Sequence, residues 1–124
     1  MGLETARRTI DRHNKVEYFF LANDFATVAC EVPVYATRTE IKRILPWWKG
    51  GNLHGHIDIL QNRRGNLVIM DYKPPPLDEA QAQNQLALYA LLLSIRTGIP
   101  IKDLKCGYFN EVLHKEFYPT KILR

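Results

Sequence analysis

The sequence is poor in cysteine, with Cys30 and Cys106 far apart in the chain. Two isolated thiols are too few for a four-cysteine zinc or iron–sulfur site, and they do not match the cysteine framework of a small secreted domain. Each lies in a run with the composition of a strand, so we expect two reduced, buried thiols, with a redox role as the alternative. No iron–sulfur cluster is expected.

The sequence also lacks a long apolar run. None reaches the roughly 18 to 20 residues that cross a bilayer, and the N-terminus lacks the basic-then-apolar pattern of a signal peptide. Linkers, internal repeats and low-complexity segments are missing as well. With 124 residues, 46% hydrophobic and 24% charged, the composition is globular. We therefore expect a soluble, cytoplasmic protein without membrane contact, folded as a single domain over residues 1–124.

Acidic charge is in deficit, because the formal net charge is +4 at pH 7. Part of the excess is local: the segment 37–49 holds four basic residues against Glu40, with Trp47 and Trp48 beside them. Basic side chains with neighbouring aromatics suit a surface that tracks a phosphate backbone and stacks on bases. A solvated loop whose tryptophans cap the core is an equal alternative. The four basic residues are Arg38, Lys42, Arg43 and Lys49.

Hydrophobic periodicity predicts an α/β fold with a central mixed sheet flanked by helices. The third predicted strand is apolar on both faces, which marks it as central. A short helix is expected before Pro46, and a hairpin turn around Gly65. The predicted order is a helix over 3–22, strands over 27–36, 56–61 and 67–73, a helix over 77–97, and strands over 104–111 and 113–118.

The second long helix has well-defined ends. The prolines at 74–76 forbid both helix and sheet pairing, so the chain leaves the sheet there. Asp78 and Glu79 suit the first turn, and Gly98 follows as the C-cap. Because the helix is apolar nearly all round from Leu86 onward, we expect it to be buried against the sheet.

Two carboxylates are predicted to meet on adjacent strands. Side chains two apart in a strand share a face, so Asp71 and Lys73 lie side by side on the central strand. Asp58 lies on the neighbouring strand between Ile57 and Ile59, whose side chains are expected on the opposite face. A carboxylate between apolar residues is costly to bury unless its charge is compensated. The alternatives are a same-face salt bridge for Asp71 and Lys73, and a turn cap for Asp58.

A divalent cation would remove the repulsion between these carboxylates. Magnesium takes a few carboxylates and keeps several waters, and oxygen ligands favour magnesium or manganese over zinc. Glu31, on the first strand between apolar neighbours, is the candidate third carboxylate. Such a metal acidifies a bound water and stabilises charge on a phosphodiester. Lys73 would orient that water or neutralise the phosphorus centre.

The second long helix carries a polar stripe of Gln81, Gln85 and Tyr89, which lie four residues apart and hence on one face. In a helix otherwise wrapped in leucine, this stripe meets either water or a functional site. A surface stripe with the tyrosine packing sideways is the alternative.

The order of these motifs resembles the PD-(D/E)XK nuclease superfamily, and within it the RecB-like branch. The motifs are Glu31, the G-x-x-D of residues 55–58, the D-Y-K of 71–73 and the Q-x-x-x-Y of 85–89, and together they cover roughly residues 26–119. The resemblance implies a restriction-endonuclease-like core, a DNA substrate, and magnesium or manganese. It also implies metal ligation by Glu31, Asp58, Asp71 and the Tyr72 carbonyl oxygen, a catalytic Lys73, and Gln85 and Tyr89 lining the site.

The chain departs from the branch in three respects. His13, on the predicted first helix, is the candidate for the branch's helical histidine ligand, and a His13–Glu17 surface pair is an equal alternative. Three prolines follow Lys73 where the branch has a small or hydroxyl residue, so a different strand-end geometry is expected. The chain is also far shorter than helicase-fused members, so no motor is expected, and a viral or mobile-element origin suits so compact a form.

Three functional hypotheses follow from these residues. The first is a metal-dependent deoxyribonuclease, an exonuclease acting on single-stranded or end-containing DNA. The second is a nuclease-like fold retained as a nucleic-acid-binding or assembly module with weak or no catalysis. The third is a junction-resolving or restriction-type endonuclease, against which the Q-x-x-x-Y motif argues. The sequence leaves open the strand polarity and whether the protein is a monomer or a homo-oligomer.

Overall fold

The computed structural model describes residues 27–123, so the predicted helix over 3–22 and His13 lie outside the described residues. The bounds of the elements are β1 Thr27–Ala36, α1 Arg38–Ile44, β2 Leu53–Arg63, β3 Asn66–Tyr72, α2 Glu79–Thr97, β4 Leu104–Phe109 and β5 His114–Phe117, with short 3-10 helices at Ile101–Asp103 and Pro119–Lys121.

The strands form one mixed sheet in the order β1-β2-β3-β4-β5. Strands β3 and β4 are parallel, joined by α2 as a crossover, while the other neighbouring pairs are antiparallel. The predicted α/β class and the central position of β3 are confirmed. No helix within the described range is both long and apolar enough to cross a membrane.

The turn between β2 and β3 is tighter than predicted. Strand β2 continues to Arg63, which pairs with Asn66, so the turn contains Arg64 and Gly65 alone. Both residues have positive φ, 55° and 88°, as a two-residue hairpin turn requires when it follows the right-handed twist of its strands. This turn fixes the register of the two strands that carry Asp58 and Asp71.

Helix α2 begins and ends at side-chain and glycine caps. The Asp78 carboxylate accepts a hydrogen bond from the Gln81 amide at 3.1 Å, so Asp78 is the N-cap and the helix begins at Glu79 rather than at Leu77. At the other end Gly98 adopts a φ of 79°, the left-handed C-cap that glycine permits. Its buried residues, which confirm the predicted packing against the sheet, are Ala82, Leu86, Ala87, Ala90, Leu91, Leu92 and Leu93.

Apolar side chains fill both faces of the sheet. The main core lies between the sheet and α2, and a smaller cluster of Ile59, Val68, Met70 and Phe109 lies on the opposite face. Alternation along β3 is regular, because Ile69 belongs to the main core while its two neighbours belong to the smaller cluster.

Alternation fails on β2, and the prediction that Ile57 and Ile59 share a face is wrong. Ile57 and Leu60 both pack in the main core, whereas Ile59 belongs to the smaller cluster. The change of face lies at Asp58. Opposite it on β1, Glu31 has a φ of 53° and is skipped in the strand pairing. The pairing resumes in the same register at Val32 and Ile57, so the β1–β2 ribbon changes its faces here without an inserted residue.

Candidate functional site

The pairing between β2 and β3 ends where two acidic residues face each other. The last paired residues are Ile59 and Met70, and continuing the same register would place Asp58 opposite Asp71. There the carboxylates take over the hydrogen bonding. Asp71 Oδ1 accepts from the Asp58 amide at 3.0 Å, and Asp58 Oδ2 accepts from the Tyr72 amide at 2.9 Å. The two carboxylates are therefore held together by the strands that carry them.

Asp71 is the more deeply buried of the two acids, with 3% of its surface exposed. Burial raises the pKa of its carboxyl from the ordinary 3.8 to about 6, and the nearby negative charge of Asp58 adds to the increase. The Asp58 amide and the Lys73 ammonium oppose this rise in pKa without cancelling it. A cation that neutralises the pair would relieve both the desolvation and the repulsion.

Lys73 joins this acidic pair to helix α2. Its Nζ lies 3.6 Å from Asp71 Oδ2 and donates a hydrogen bond to Gln85 Oε1. The Gln85 Nε2 in turn donates to the Tyr89 hydroxyl at 3.0 Å. Because an amide has one donor end and one acceptor end, the bond to Tyr89 directs the acceptor end of Gln85 towards Lys73. The structure thus brings the predicted Lys73, Gln85 and Tyr89 together.

Tyr89 packs directly over Gly55 of β2. A Cβ built on Gly55 would lie 2.6 Å from Tyr89 Cζ and 2.9 Å from its hydroxyl oxygen, closer than two such atoms can approach. Burial raises the pKa of the Tyr89 phenol, and the negative charge of Asp71 adds to the increase. The glycine of the G-x-x-D motif is therefore needed for close packing against α2, a reason that the sequence motif alone does not give.

Gly55→Ala is expected to destabilise the fold by about 1–3 kcal/mol, the usual cost of forcing extra atoms into a packed contact. Urea unfolding measures this loss, and Gly51→Ala is the matched control because a Cβ there meets nothing within 4 Å. In a Tyr89→Ala background the same change is expected to cost much less. An equal cost in both backgrounds would mean that the tyrosine ring is not the reason for the glycine.

The turn after β4 contacts the strand end that carries Lys73. Asn110 Nδ2 donates to the Lys73 carbonyl oxygen at 3.1 Å, and the Tyr72 hydroxyl donates to Glu111 Oε1 at 2.6 Å. Asn110 and Glu111 are therefore site neighbours that the sequence motifs do not include. An asparagine directly after a strand is a usual turn signal, but nothing in the sequence indicates that its side chain fixes the backbone of Lys73.

Glu31 is not part of the group formed by Asp58 and Asp71. It is exposed on β1, and among residues 27–123 no three His, Cys, Asp or Glu side chains are gathered closely enough to hold a metal ion. The left-handed backbone at Glu31 sets its direction apart from that of a regular strand residue. Its role as a third ligand stays a prediction, as does that of His13.

Helix α1, which carries three of the four predicted basic residues, contacts the end of α2 that is far from Gln85 and Tyr89. Helix α1 is tied to the last turn of α2 by an ion pair between Glu40 and Arg96, and Arg96 also stacks over the Tyr35 ring at 4.3 Å. At 1.5 Å per residue, Arg96 lies roughly 10 Å beyond Tyr89 along the helix. Exposed side chains on and after α1 are Arg38, Lys42, Arg43 and Lys49.

The two tryptophans beside these basic residues have different environments, one suited to capping the core and the other to base stacking. Trp48 packs against the main core, and its indole donates to the Gly51 carbonyl oxygen at 3.1 Å. Trp47 leaves 54% of its surface exposed. Trp48 therefore caps the core, and Trp47 is the ring left accessible for stacking.

Cys30 and Cys106 are both reduced thiols. Cys106 is buried in the main core, and burial, with the charge of Asp71, raises the pKa of its thiol. Cys30 is half-buried against the smaller cluster. A buried thiol of raised pKa is a poor nucleophile, so Cys106 acts as a packing residue.

The donors at this site suit magnesium or manganese. Such ions bind through one or two carboxylates and keep several waters, and Asp58 and Asp71 supply two converging carboxylates. The Tyr72 carbonyl oxygen lies in the backbone between Asp71 and Lys73. The described residues offer no His or Cys cluster, which is what a zinc site would need.

Three comparisons with known proteins bear on this arrangement. The family model of the PD-(D/E)XK nuclease superfamily matches residues 2–117. The crystal structure of SSO0001 is similar to this one, with a TM-score of 0.53 and 18% identity over 93% of this chain and 52% of that chain. The chain thus spans about half the length of SSO0001, and at this identity the likeness concerns the fold alone. No curated protein matches the sequence significantly. The chain belongs to the PD-(D/E)XK nuclease superfamily, with its restriction-endonuclease-like core.

Proposed function

We propose that the chain is a metal-dependent deoxyribonuclease of the RecB-like branch, folded as a single nuclease domain. One observation carries the proposal: Asp58, Asp71 and Lys73 converge where the β2–β3 pairing stops. Superfamily membership supports nuclease chemistry. The contacts of Gln85 with Lys73 and of Tyr89 with Gly55 support the branch, because they join residues of its Q-x-x-x-Y, D-Y-K and G-x-x-D motifs.

The proposed metal ligands are Asp58, Asp71 and the Tyr72 carbonyl oxygen, with Glu31 and His13 as further candidates. When bound, magnesium or manganese supplies an acidified water and stabilises charge on the phosphodiester. The protein's own contribution is to hold two carboxylates at fixed positions. Each uses one oxygen to accept a backbone amide from the opposite strand, which restrains its rotation.

Lys73 is the proposed catalytic cation. Its ammonium group is held between Asp71 and Gln85, so its position is set before substrate arrives. A preorganised cation beside the scissile phosphate stabilises the negative charge that develops there. Gln85 and Tyr89 act through the lysine, since their hydrogen bond orients the amide that holds it.

The proposed substrate is single-stranded DNA, or DNA with a free end. Proteins that bind DNA neutralise several backbone phosphates with lysine and arginine side chains. Arg38, Lys42, Arg43 and Lys49 are exposed and are the proposed backbone contacts. Trp47 beside them offers an exposed ring for base stacking.

Linear and circular single-stranded DNA of one sequence test the proposal most directly. With magnesium or manganese, the purified full chain is expected to degrade the linear strand and to leave the circle intact, because an exonuclease needs an end. Chelation of the metal is expected to stop the reaction. Strands labelled at the 5′ or the 3′ end then give the polarity from the first labelled product.

Two outcomes would contradict parts of this proposal. Cleavage of the circle would replace the exonuclease with an endonuclease on the same core. A protein inert with both metals on single-stranded, duplex and branched DNA would favour a nuclease-like binding module instead.

A further inference from the structure

A cleft of about 360 Å³ opens beside Lys73 and Gln85, outside the acidic pair. We call it the proline cleft, because Pro74 and Pro76 form part of its wall together with Leu77. These prolines follow Lys73 where members of the RecB-like branch have a small or hydroxyl residue. Its volume is at the small end of ligand pockets, so it has room for one flat ring system and not for a duplex.

The lining of the proline cleft favours a neutral ligand with a polar edge. Proline rings and Leu77 supply apolar walls, and Gln81 and Gln85 supply amides at its border. An amide offers both a donor and an acceptor. The acidic group of the lining is Asp78. Its carboxylate already accepts a hydrogen bond from the backbone N–H of Gln81 as the N-cap of helix α2. A carboxylate at the wall disfavours a second phosphate there, whereas a nucleobase presents a flat face and a hydrogen-bonding edge.

Lys73 connects this cleft with the proposed reaction site. Its side chain lines the cleft while its ammonium group lies 3.6 Å from Asp71 Oδ2. A phosphate bound beside that ammonium group therefore has its adjoining nucleotide at the mouth of the cleft. A base in a duplex could enter only after leaving its stack and its partner, at a cost in free energy that an unpaired base avoids.

We propose that the proline cleft holds the unpaired base of the nucleotide next to the scissile phosphate. This inference rests on the proposed nuclease function and adds to it a reason for acting on single strands: the base must be free to leave the stack. The base packs against Pro74, Pro76 and Leu77, and the side-chain amide of Gln81 hydrogen-bonds to its edge.

Abasic substitution tests this directly. Single-stranded oligonucleotides with one cleavable linkage, the others being blocked, carry an abasic site at each position in turn. An abasic site at one of the two positions adjoining the linkage is expected to raise KM between about fivefold and a hundredfold, the usual effect of losing one stacked base. Uniform KM values at all positions, with the linkage cut normally, would overturn the cleft and leave the nuclease function standing.

The variant Gln81→Ala is expected to reduce the difference in KM between the intact oligonucleotide and the abasic one. Asn84→Ala is the matched control, because Asn84 is an exposed amide on the same helix and is not part of the cleft wall. An unchanged difference in Gln81→Ala would refute the proposed hydrogen bond to the base.

Binding without metal separates this inference from the nuclease proposal. In a chelator, where cleavage is not expected, the intact oligonucleotide should bind more tightly than the abasic one, and Gln81→Ala should lose that preference. The same result from a protein that cuts no DNA would retain the cleft and refute the nuclease function. Equal binding of both oligonucleotides would refute the cleft whether or not the protein cuts DNA.

Discussion

Asp71→Asn is expected to lower nuclease activity roughly a thousandfold and, without metal, to stabilise the folded protein at pH 7. The activity falls because a metal ion supplies several kcal/mol of transition-state stabilisation, and each 1.4 kcal/mol is about tenfold in rate. Stability rises because burial of the ionised carboxylate is unfavourable. The pKa of Asp71 is raised from 3.8 to about 6, which corresponds to about 3 kcal/mol at pH 7.

The pH dependence of this effect has a definite sign. Since the folded pKa of Asp71 exceeds the unfolded value, its contribution to stability is fully present below about pH 4 and is lost as the pH rises through about 6. Asparagine cannot ionise, yet its Oδ1 can still accept the Asp58 amide. The variant should therefore match the wild type in acid and exceed it at neutral pH, as urea unfolding in a chelator between about pH 4 and pH 8 would measure.

Asp103→Asn is the control for this experiment, because Asp103 is an exposed acid that precedes β4 and makes no contact with the acidic pair. It is expected to change neither activity nor the pH dependence of stability. An Asp71→Asn protein that is less stable than wild type at pH 7 would contradict this prediction. It would show that the ionised Asp71 carboxylate stabilises the fold in spite of its burial.

Lys73→Met is expected to lower kcat roughly a hundredfold to a thousandfold, the usual loss when one preorganised group is removed from a charge that develops in the transition state. Methionine keeps most of the aliphatic length and removes the ammonium group. Because Lys73 lowers the pKa of Asp71, its loss should also move the acidic limb of the pH–rate profile to higher pH. Single-turnover kinetics at saturating DNA across pH separates both effects from substrate binding.

Lys102→Met is the matched control, since Lys102 is an exposed lysine at the opposite end of β4 from the site. Its loss is expected to leave kcat and the acidic limb unchanged. A Lys73→Met protein that keeps more than about a tenth of the wild-type kcat would exclude Lys73 as the catalytic cation.

Most of the site could be predicted because its residues lie in regular elements. The period of two along a strand places Asp71 and Lys73 on one face of the sheet. The period of an α-helix places Gln85 and Tyr89 on one face of α2. Both periods follow from backbone geometry alone. The convergence of Asp58 with Asp71 follows once the two strands form a hairpin, which the sequence also indicates.

The remaining features depend on departures from regular backbone. The left-handed φ of Glu31 and the change of face between Ile57 and Ile59 arise where the strand pairing is interrupted. Periodicity assumes uninterrupted pairing and cannot predict such a point. The Asn110 bond to Lys73 is a tertiary contact between distant segments, so local patterns contain no trace of it.

The turn at Arg64 and Gly65 has a consequence for how this chain can vary in length. Inserting one residue there would either open the turn into a three-residue loop with a bulge or slide β2 against β3 by one position, and the slide would separate Asp58 from Asp71. The loop between α1 and β2 is under no such restriction, because no catalytic register depends on it. Natural or engineered insertions should therefore be tolerated before Leu53, and between Arg63 and Asn66 only where a longer loop absorbs them without a change of register.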